Sequence, residues 1–154
     1  MNKDGEITIR RATVHDLEAV TTLFEMYREF YNQPPDRDGA LHFLEERMNR
    51  EDAVLFVATK GKILIAFSQL YPTCSSLSMK RVWILNDMFV LPAHRKQGVG
   101  ANLLRAVLDY AKQTDAKAVV LETAPDNTSA QKLYRRFGFI QDEEFLHFSA
   151  RVDT

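Results

Sequence analysis

A strand, a glycine-containing loop, a helix and a second strand follow one another in the segment from Met79 to Thr123. Met79 to Val90 is a long apolar run typical of a strand, and apolar residues recur on one face from about Gly98 to Lys112, as in an amphipathic helix. Ala118 to Thr123 is short and nearly all apolar, which is typical of a buried strand. The segment is therefore a β-α-β unit, whose crossover should be right-handed, and it requires a sheet covered by helices.

The residues before this unit predict further strands and helices. Thr13 begins the first helix, because this hydroxyl cap is followed three residues later by an acid at Asp16. That helix should end before Pro34-Pro35. The predicted bounds of the other elements are Glu6 to Arg11, Ala53 to Ala58 and Ile63 to Tyr71 for strands, and Asp38 to Arg50 for the second helix.

The residues after the unit predict one more helix and a final strand. Asn127 can cap the helix, and Gly138 supplies a left-handed stop. The last strand is predicted over roughly Glu144 to Val152. The complete order is β-α-α-β-β-β-α-β-α-β, a mixed sheet with helices on its faces. The predicted fold class is therefore α/β (α+β) rather than a bundle or a barrel.

Length, charge and composition exclude several classes of protein. The 154 residues fit a single domain, residues 1–154, and a net charge of −1 leaves no basic surplus that would favour nucleic acid or an anionic membrane as partner. Cys74 is the only cysteine, which excludes an intrachain disulfide, and the four histidines lack metal-type spacing, so no metal is expected. Neither a signal-peptide core nor an apolar run near the roughly 20 residues of a membrane span is present, so we expect a cytoplasmic protein without a membrane partner.

The loop between the long strand and its helix reads Arg95-Lys96-Gln97-Gly98-Val99-Gly100. Backbone N–H groups at a helix start have no intrahelical partner and lie at the positive end of the helix dipole, so this turn can bind an anion. A Walker A loop is excluded because no lysine–hydroxyl pair follows the glycines, and a dinucleotide fingerprint is excluded because Leu103 occupies the third glycine position. A tight strand–helix turn without a ligand is the alternative.

In the sequence around this loop the chain resembles the GNAT superfamily of N-acetyltransferases. The family signature Arg/Gln-x-x-Gly-x-Gly/Ala is matched by Arg95 to Gly100. Asn86 to Pro92 is similar to the family's fourth strand and its exit, and Asn127 to Phe139 is similar to its second motif. Tyr27 to Tyr31 resembles the small Hpa2-like branch. The resemblance extends from Ile7 to Phe148 and implies a GNAT-type mixed, mostly antiparallel sheet with helices on both faces.

The resemblance implies acetyl-CoA as cosubstrate. In the family, the pyrophosphate lies on the loop amides, and the pantetheine arm runs like an extra strand beside the fourth strand, where a β-bulge is common and the fifth strand splays away. Asn127 matches a position that often contacts this arm, although a helix cap would also explain it. The implied cofactor-binding residues are Phe89, Val90, Arg95, Lys96, Gln97, Gly98, Val99, Gly100, Ala101, Asn127 and Tyr134.

The resemblance also implies that the amine attacks directly in a ternary complex, without an acyl-enzyme, so Cys74 has no nucleophilic role. Tyr134 matches the family's tyrosine that donates a proton or hydrogen bond to the departing sulfur. Its spacing after Ala130 also fits the apolar stripe of the helix, which is the structural alternative.

A base is required because an alkyl ammonium, with a pKa near 10, is no nucleophile until it loses a proton. Asp87 is one candidate, since it lies on the same side of its strand as Leu85 and Phe89 if alternation holds. Glu122, near the end of the fifth strand, is the other. Either could act through a water, and a bound water or no dedicated base is the alternative.

The acceptor site of the family lies between the first two helices, their connection and the strands facing them. We expect Glu29, Tyr31 and Asp36 to line it, because carboxylates and aromatic rings suit a cationic amine, although all three also fit a solvated helix end and loop. The expected acceptor is a primary amine of a small molecule. A protein lysine or N-terminus, or a non-catalytic acyl-CoA-binding sensor, is the alternative. A homodimer is expected because dimers are common in the Hpa2-like branch.

Overall fold

The computed structural model describes residues 5–153 and divides between Glu122 and Thr123 into two compact units. The first unit contains a five-stranded sheet with three helices, and the second contains one helix. Within residues 5–153, no helix combines the length and the apolar character that crossing a membrane requires. In chain order the elements are β1 Ile7–Arg11, α1 Leu17–Phe30, α2 Arg37–Arg50, β2 Val54–Lys60, β3 Ile63–Ser75, β4 Lys80–Val90, α3 Val99–Gln113, β5 Ala118–Val120 and α4 Thr128–Arg136, with 3-10 turns at Val14–Asp16 and Pro92–His94.

The five strands lie side by side in chain order. The first four pair antiparallel, and β5 pairs parallel with β4, which is possible because α3 carries the chain back along the sheet. The predicted β-α-β unit is therefore formed by β4, α3 and β5. The predicted mixed, mostly antiparallel α/β fold is confirmed.

Helices cover both faces of the sheet, as successive side chains of β2 demonstrate. Leu55 and Val57 belong to a buried cluster with residues of α1 and α2, among them Leu44. Phe56 points to the opposite face, where its ring centroid lies 5.7 Å from that of Tyr110 on α3. Full burial of each aliphatic side chain contributes about 1.5–3 kcal/mol, so the cluster fixes α1 and α2 against one face of the sheet.

A β-bulge interrupts the pairing of β3 with β4. Gln69 lies opposite Asp87, but Leu70 lies opposite Leu85, so Asn86 is an extra residue on β4. Directly opposed residues share a face and neighbours alternate, so Asp87 and Leu85 lie on opposite faces of the sheet. The prediction that both lie on the same side was therefore wrong, because it assumed unbroken alternation through the bulge.

The start of α1 is fixed by a capping box and an ion pair. Thr13 accepts from the amide of His15 and Asp16 accepts from the amide of Thr13, as the sequence predicted, although the capped residues form a 3-10 turn that α1 then continues. Arg10 on β1 donates to both oxygens of Asp16, at 2.7 and 2.8 Å. These donors, Arg10 first, lower the pKa of Asp16 to about 2.

We expect Asp16→Asn to lower the free energy of unfolding by about 1–2 kcal/mol at about pH 7, a value discounted for solvent because the Arg10 side chain is 42% exposed. The folded-state pKa is depressed, so this stability is complete above the usual value of 3.8 and is lost as the pH falls toward about 2. Urea unfolding between about pH 7 and pH 2 measures it, with Asp109→Asn on exposed α3 surface as the control. A difference from wild type that stayed constant over this range would contradict the assignment.

β5 is shorter and less buried than predicted. Only Ala118–Val120 form the strand, and Val120 is 45% exposed. Within the described residues β5 has one neighbouring strand, so its second edge has no ladder partner there. The prediction of a buried strand reaching Thr123 was wrong. An apolar run does not show whether a strand is paired on both edges, and so it does not fix how buried or how long the strand is.

Residues 144–152 form no strand in the structure, in contrast to the predicted final strand from Glu144 to Val152. A strand needs its N–H groups in a ladder, whereas the amides of Glu144 and Phe145 donate to the carboxylate of Asp142, at 2.9 and 3.3 Å. A local turn thus satisfies groups that the prediction assigned to a sheet. Through α4 the element order agrees with the prediction.

Candidate active site

The loop after β4 is shaped by a 3-10 turn and two left-handed residues. The amide of Leu91 still bonds to Ile65 of β3 at 2.9 Å, and the Pro92–His94 turn follows. Lys96 has a φ of 62°, and Gly98, which caps α3, has a φ of 81°. Glycine adopts this conformation without steric cost, so Gly98 allows the chain to turn directly into the helix.

The start of α3 presents a row of free amides. The first bond that the helix closes runs from the amide of Asn102 to the carbonyl of Gly98, at 3.0 Å. Within the described part of the chain, the amides of residues 96–101 donate no hydrogen bond. These donors lie at the positive end of a 15-residue helix, which is the arrangement that binds phosphate groups.

The two cations of the loop differ in their contacts. Arg95 donates from Nε to the carbonyl of Val90 at 2.9 Å, and its guanidinium lies 5.5 Å from the ring centroid of Phe89 and 5.9 Å from that of Phe30. Arg95 therefore ties the loop to the end of β4 and to α1. Lys96 is exposed and forms no ion pair with any described residue, so its charge is available beside the free amides.

Beyond the bulge, one edge of β4 pairs with no strand of the described residues, and we call this stretch the open edge of β4. Pairing with β5 ends at Ile84 opposite Val120, whereas β4 continues to Val90. Because Leu91 bonds to Ile65 of β3, ladder alternation directs the backbone of Phe89 to β3 as well, and the backbones of Met88 and Val90 to the open edge.

The alternating direction of the backbone groups along β4 corrects one expectation. Phe89 and Val90 were expected to offer their backbones to an added strand, but the pair on the open edge is Met88 and Val90. The carbonyl of Val90 is already bonded to Arg95. Three groups therefore remain for an extended ligand: the N–H and C=O of Met88 and the N–H of Val90.

Asp87 is held by two amide side chains. It is 7% exposed, and by strand alternation it shares the α1 face of the sheet with Phe89. Gln69 donates to Oδ2 at 3.0 Å and Asn86 donates to Oδ1 at 3.1 Å. Both oxygens thus accept a hydrogen bond, and the two bonds fix the orientation of the carboxyl.

Gln69 also donates to the hydroxyl of Tyr71 at 3.1 Å. Burial, and secondly the negative charge of Asp87, raise the pKa of Tyr71 to about 12. Tyr71 therefore stays a protonated phenol at neutral pH. Sequence reasoning missed both residues, although a Gln inside the apolar run of β3 is a sequence signal that could have indicated a buried polar residue there.

Aromatic rings lie beside this network. Tyr27 of α1 has its ring centroid 5.7 Å from that of Phe67 and 6.2 Å from that of Phe89. These two phenylalanines lie opposite each other on β3 and β4, two residues along from the pair Gln69 and Asp87. Tyr31, at the end of α1, lies 5.2 Å from Tyr27 and is 47% exposed. Aromatic rings of α1, β3 and β4 therefore pack together on the face of the sheet that carries Asp87.

Of the other two predicted acceptor residues, Asp36 has a structural task and Glu29 has none that the structure describes. Asp36 caps α2, accepting from the amide of Gly39 at 2.9 Å, and a side chain at Gly39 would overlap its carboxylate. Glu29 is exposed on α1. Asp36 is therefore the N-cap of α2, a role that the sequence analysis did not assign to it.

The remaining predicted site residues lie at or beyond the unit boundary. Glu122 is exposed and follows the end of β5 by two residues. In the second unit Asn127 caps α4 by accepting from the amide of Ala130 at 3.3 Å, which is the structural alternative foreseen for it. Tyr134 lies on α4, half-buried, with its ring centroid 5.7 Å from that of Phe139.

A cleft of about 510 Å³ lies elsewhere, lined by Arg11, Arg47, Trp83, Tyr110 and neighbouring residues. None of its lining residues is a predicted site residue. Among the described residues, no group of three or more His, Cys, Asp or Glu is placed to hold a metal ion.

Residues 18–139 match the model of the acetyltransferase (GNAT) family. A Bacillus subtilis protein named uncharacterized N-acetyltransferase YhfO is 44% identical over 146 residues, which cover 95% of this chain and 98% of the relative. A crystal structure of a probable acetyltransferase is 38% identical, with a TM-score of 0.91, and the match covers 96% of this chain and 99% of that one. The structure of AAC(6')-Iy in complex with the bisubstrate analogue CoA-S-monomethyl-acetylneamine is 25% identical, with a TM-score of 0.78 and coverage of 96% and 100%.

Proposed function

Because the chain belongs to the GNAT family of acetyltransferases, we propose that it transfers the acetyl group of acetyl-CoA to a primary amine of a small molecule, by direct attack in a ternary complex. It is an acetyl-CoA-dependent acyltransferase, as the family match and its relatives show. The observation that carries the proposal is the row of free amides at residues 96–101, next to the open edge of β4.

The loop would bind the cosubstrate through its backbone. The pyrophosphate would accept from the amides at the start of α3, and Lys96 would add a charge beside them. The pantetheine arm would extend along β4, with Met88 and Val90 as its backbone partners. The CoA-containing bisubstrate analogue in the 25% identical structure supports coenzyme A as the ligand.

Proton transfer would be shared between two groups. The amine nitrogen attacks the acetyl carbon, the C–S bond breaks, and the thiolate of coenzyme A takes up a proton. Asp87 would accept the proton that the ammonium loses, directly or through a water, and Tyr134 would donate to the sulfur. What supports Asp87 over Glu122 is its burial and its fixed orientation, whereas Glu122 is exposed.

The acceptor in this proposal is a small molecule because one structural relative, AAC(6')-Iy, is described as an aminoglycoside N-acetyltransferase and is bound to an analogue that joins CoA to an acetylneamine. Tyr31 and the aromatic rings near it would contact the organic part of the amine, and Glu29 and Asp36 would attract its charge. The Hpa2-like branch, a homodimer, a single domain over both units and a cytoplasmic location stay predictions.

We expect Gly98→Ala to weaken acetyl-CoA binding about tenfold or more. A non-glycine residue at a φ of 81° costs about 1–2 kcal/mol, and relief of that strain would turn the free amides away from the ligand. Titration calorimetry with acetyl-CoA measures the Kd. Gly138→Ala is the matched control, since Gly138 has a φ of 89° and, like Gly98, has no atom near the added Cβ.

The control should lose similar stability but keep the wild-type Kd. Equal Kd values for both variants and wild type would remove the loop from the binding site. Failure of the wild type to bind acetyl-CoA would overturn the proposed function. If acetyl-CoA binds, a panel of amines monitored for free thiol tests the acceptor: release with peptides alone would indicate a protein acetyltransferase, and binding without release would indicate a sensor.

A further inference from the structure

Gln69 is a fully buried polar residue in the middle of the sheet. It is 0% exposed and lies on β3 between the equally buried residues Ser68 and Leu70. Burial of an amide is costly unless hydrogen bonds replace those it makes with water, so its position calls for a specific partner. Its Nε2 supplies two bonds, to Oδ2 of Asp87 and to Oη of Tyr71.

These two bonds determine the orientation of the amide. Both hydrogens of Nε2 are directed at oxygen atoms, while Oε1 is buried and accepts no hydrogen bond from the described residues. The reverse orientation would place the carbonyl oxygen of Gln69 against the carboxylate of Asp87, which is repulsive while Asp87 is ionised. The register of the bulged strands sets Gln69 directly opposite Asp87.

We propose that Gln69 is a positioning residue, which hydrogen-bonds the carboxylate of Asp87 and holds it aimed for proton abstraction, and that Tyr71 locks the amide of Gln69 in the required orientation. The inference rests on the proposed role of Asp87 as base. Other ionisable groups near the network are Tyr27 on α1, Arg47 at the end of α2 and Asp52 before β2.

Three variants test the role. Gln69→Leu removes the donor, Gln69→Glu places a second carboxyl beside Asp87, and Tyr71→Phe removes the group that fixes the amide. The matched control is Ser68→Ala, because Ser68 is equally buried, lies next to Gln69 on the other face of the sheet, and its hydroxyl has no hydrogen-bond partner among the described residues.

The readout is the pH profile of kcat/KM, measured with acetyl-CoA and an amine that the wild type acetylates. Gln69→Leu should move the acidic limb to higher pH by roughly 1 unit, as expected when one hydrogen bond to a charged group is lost. Gln69→Glu should move it further, because two adjacent carboxyls resist joint ionisation, and Tyr71→Phe should move it less. In all three variants the Kd of acetyl-CoA should match that of the wild type. The control Ser68→Ala should also keep the wild-type pH profile.

If Gln69 had only a structural role, its substitution would lower the melting temperature and would lower kcat/KM at every pH. The acidic limb of the pH profile would not move. That result in Gln69→Leu and Gln69→Glu, alongside loss of the limb in Asp87→Asn, would overturn the inference while leaving the transferase and its base in place. Retention of the wild-type limb in Asp87→Asn would remove the base itself, and the inference with it. If Gln69→Leu does not fold, Gln69→Glu keeps the size and polarity of the side chain and decides the question.

Discussion

Asp87→Asn should lower kcat by roughly 10²- to 10⁴-fold and abolish the acidic limb of the kcat/KM profile. The variant is nearly isosteric, and its Oδ1 can still accept from Gln69 or Asn86, whose bonds to the carboxylate are 3.0 and 3.1 Å. The side chain should thus stay in place but lose the ability to take a proton. The Kd of acetyl-CoA should change little, since the loop amides lie outside this network.

Steady-state kinetics from about pH 5 to pH 9 measure both effects, with Glu122→Gln as the matched variant. Glu122 is the rival carboxylate, exposed after β5, and its amide variant should keep the wild-type profile. If Asp87→Asn retained the acidic limb while Glu122→Gln lost it, the base would be Glu122. Acidic limbs that survived in both variants would indicate a bound water or no dedicated base instead.

Local signals in the sequence predicted the loop and most of the elements. Gly98 and its neighbours mark a strand–helix turn by composition alone, and the structure places a left-handed Gly98 directly before α3. Thr13 and Asp16 likewise form the predicted capping box. Such features depend on residues a few positions apart, so a single sequence carries enough information to predict them.

Features that depend on pairing between strands could not be predicted in this way. The family resemblance implied a β-bulge near the end of this strand, but the apolar pattern of β4 gives neither its position nor the register. The bulge at Asn86 reverses the face expected for Leu85 and places Gln69 opposite Asp87. Val120 was expected to be buried but is exposed. This too depends on pairing, because the exposure of Val120 is set by what lies beside β5. Where the prediction failed, it had assumed a sheet neighbour or an unbroken alternation.

The bulge also links the two halves of the proposed site. It turns Asp87 to the α1 face, where Gln69 meets it, and it lies two residues beyond Ile84, the last residue of β4 that pairs with β5. β4 thus carries a buried carboxylate directly after the bulge, and beyond Ile84 one of its edges pairs with no strand of the described residues. A regular strand would have kept Leu85 and Asp87 on one face.

Tyr134→Phe should lower kcat by roughly 10²- to 10⁴-fold while leaving the Kd of acetyl-CoA unchanged, because the hydroxyl would act only as the C–S bond breaks. The ring should keep its contact with Phe139, whose centroid lies 5.7 Å away, so the packing of α4 should survive. Steady-state kinetics and calorimetry give the two quantities.

Tyr110→Phe is the control for this last variant, since Tyr110 is a helix tyrosine whose ring packs on Phe56 and Trp83 at the opposite face of the sheet from Asp87. It should keep the wild-type kcat. Because a thiolate that leaves unprotonated would need no such acid, full activity of Tyr134→Phe would assign Tyr134 to the apolar stripe of α4 and leave the sulfur to be protonated by water. A parallel rise in the Kd of acetyl-CoA would instead make Tyr134 a binding residue, since only an interaction confined to the transition state lowers kcat alone.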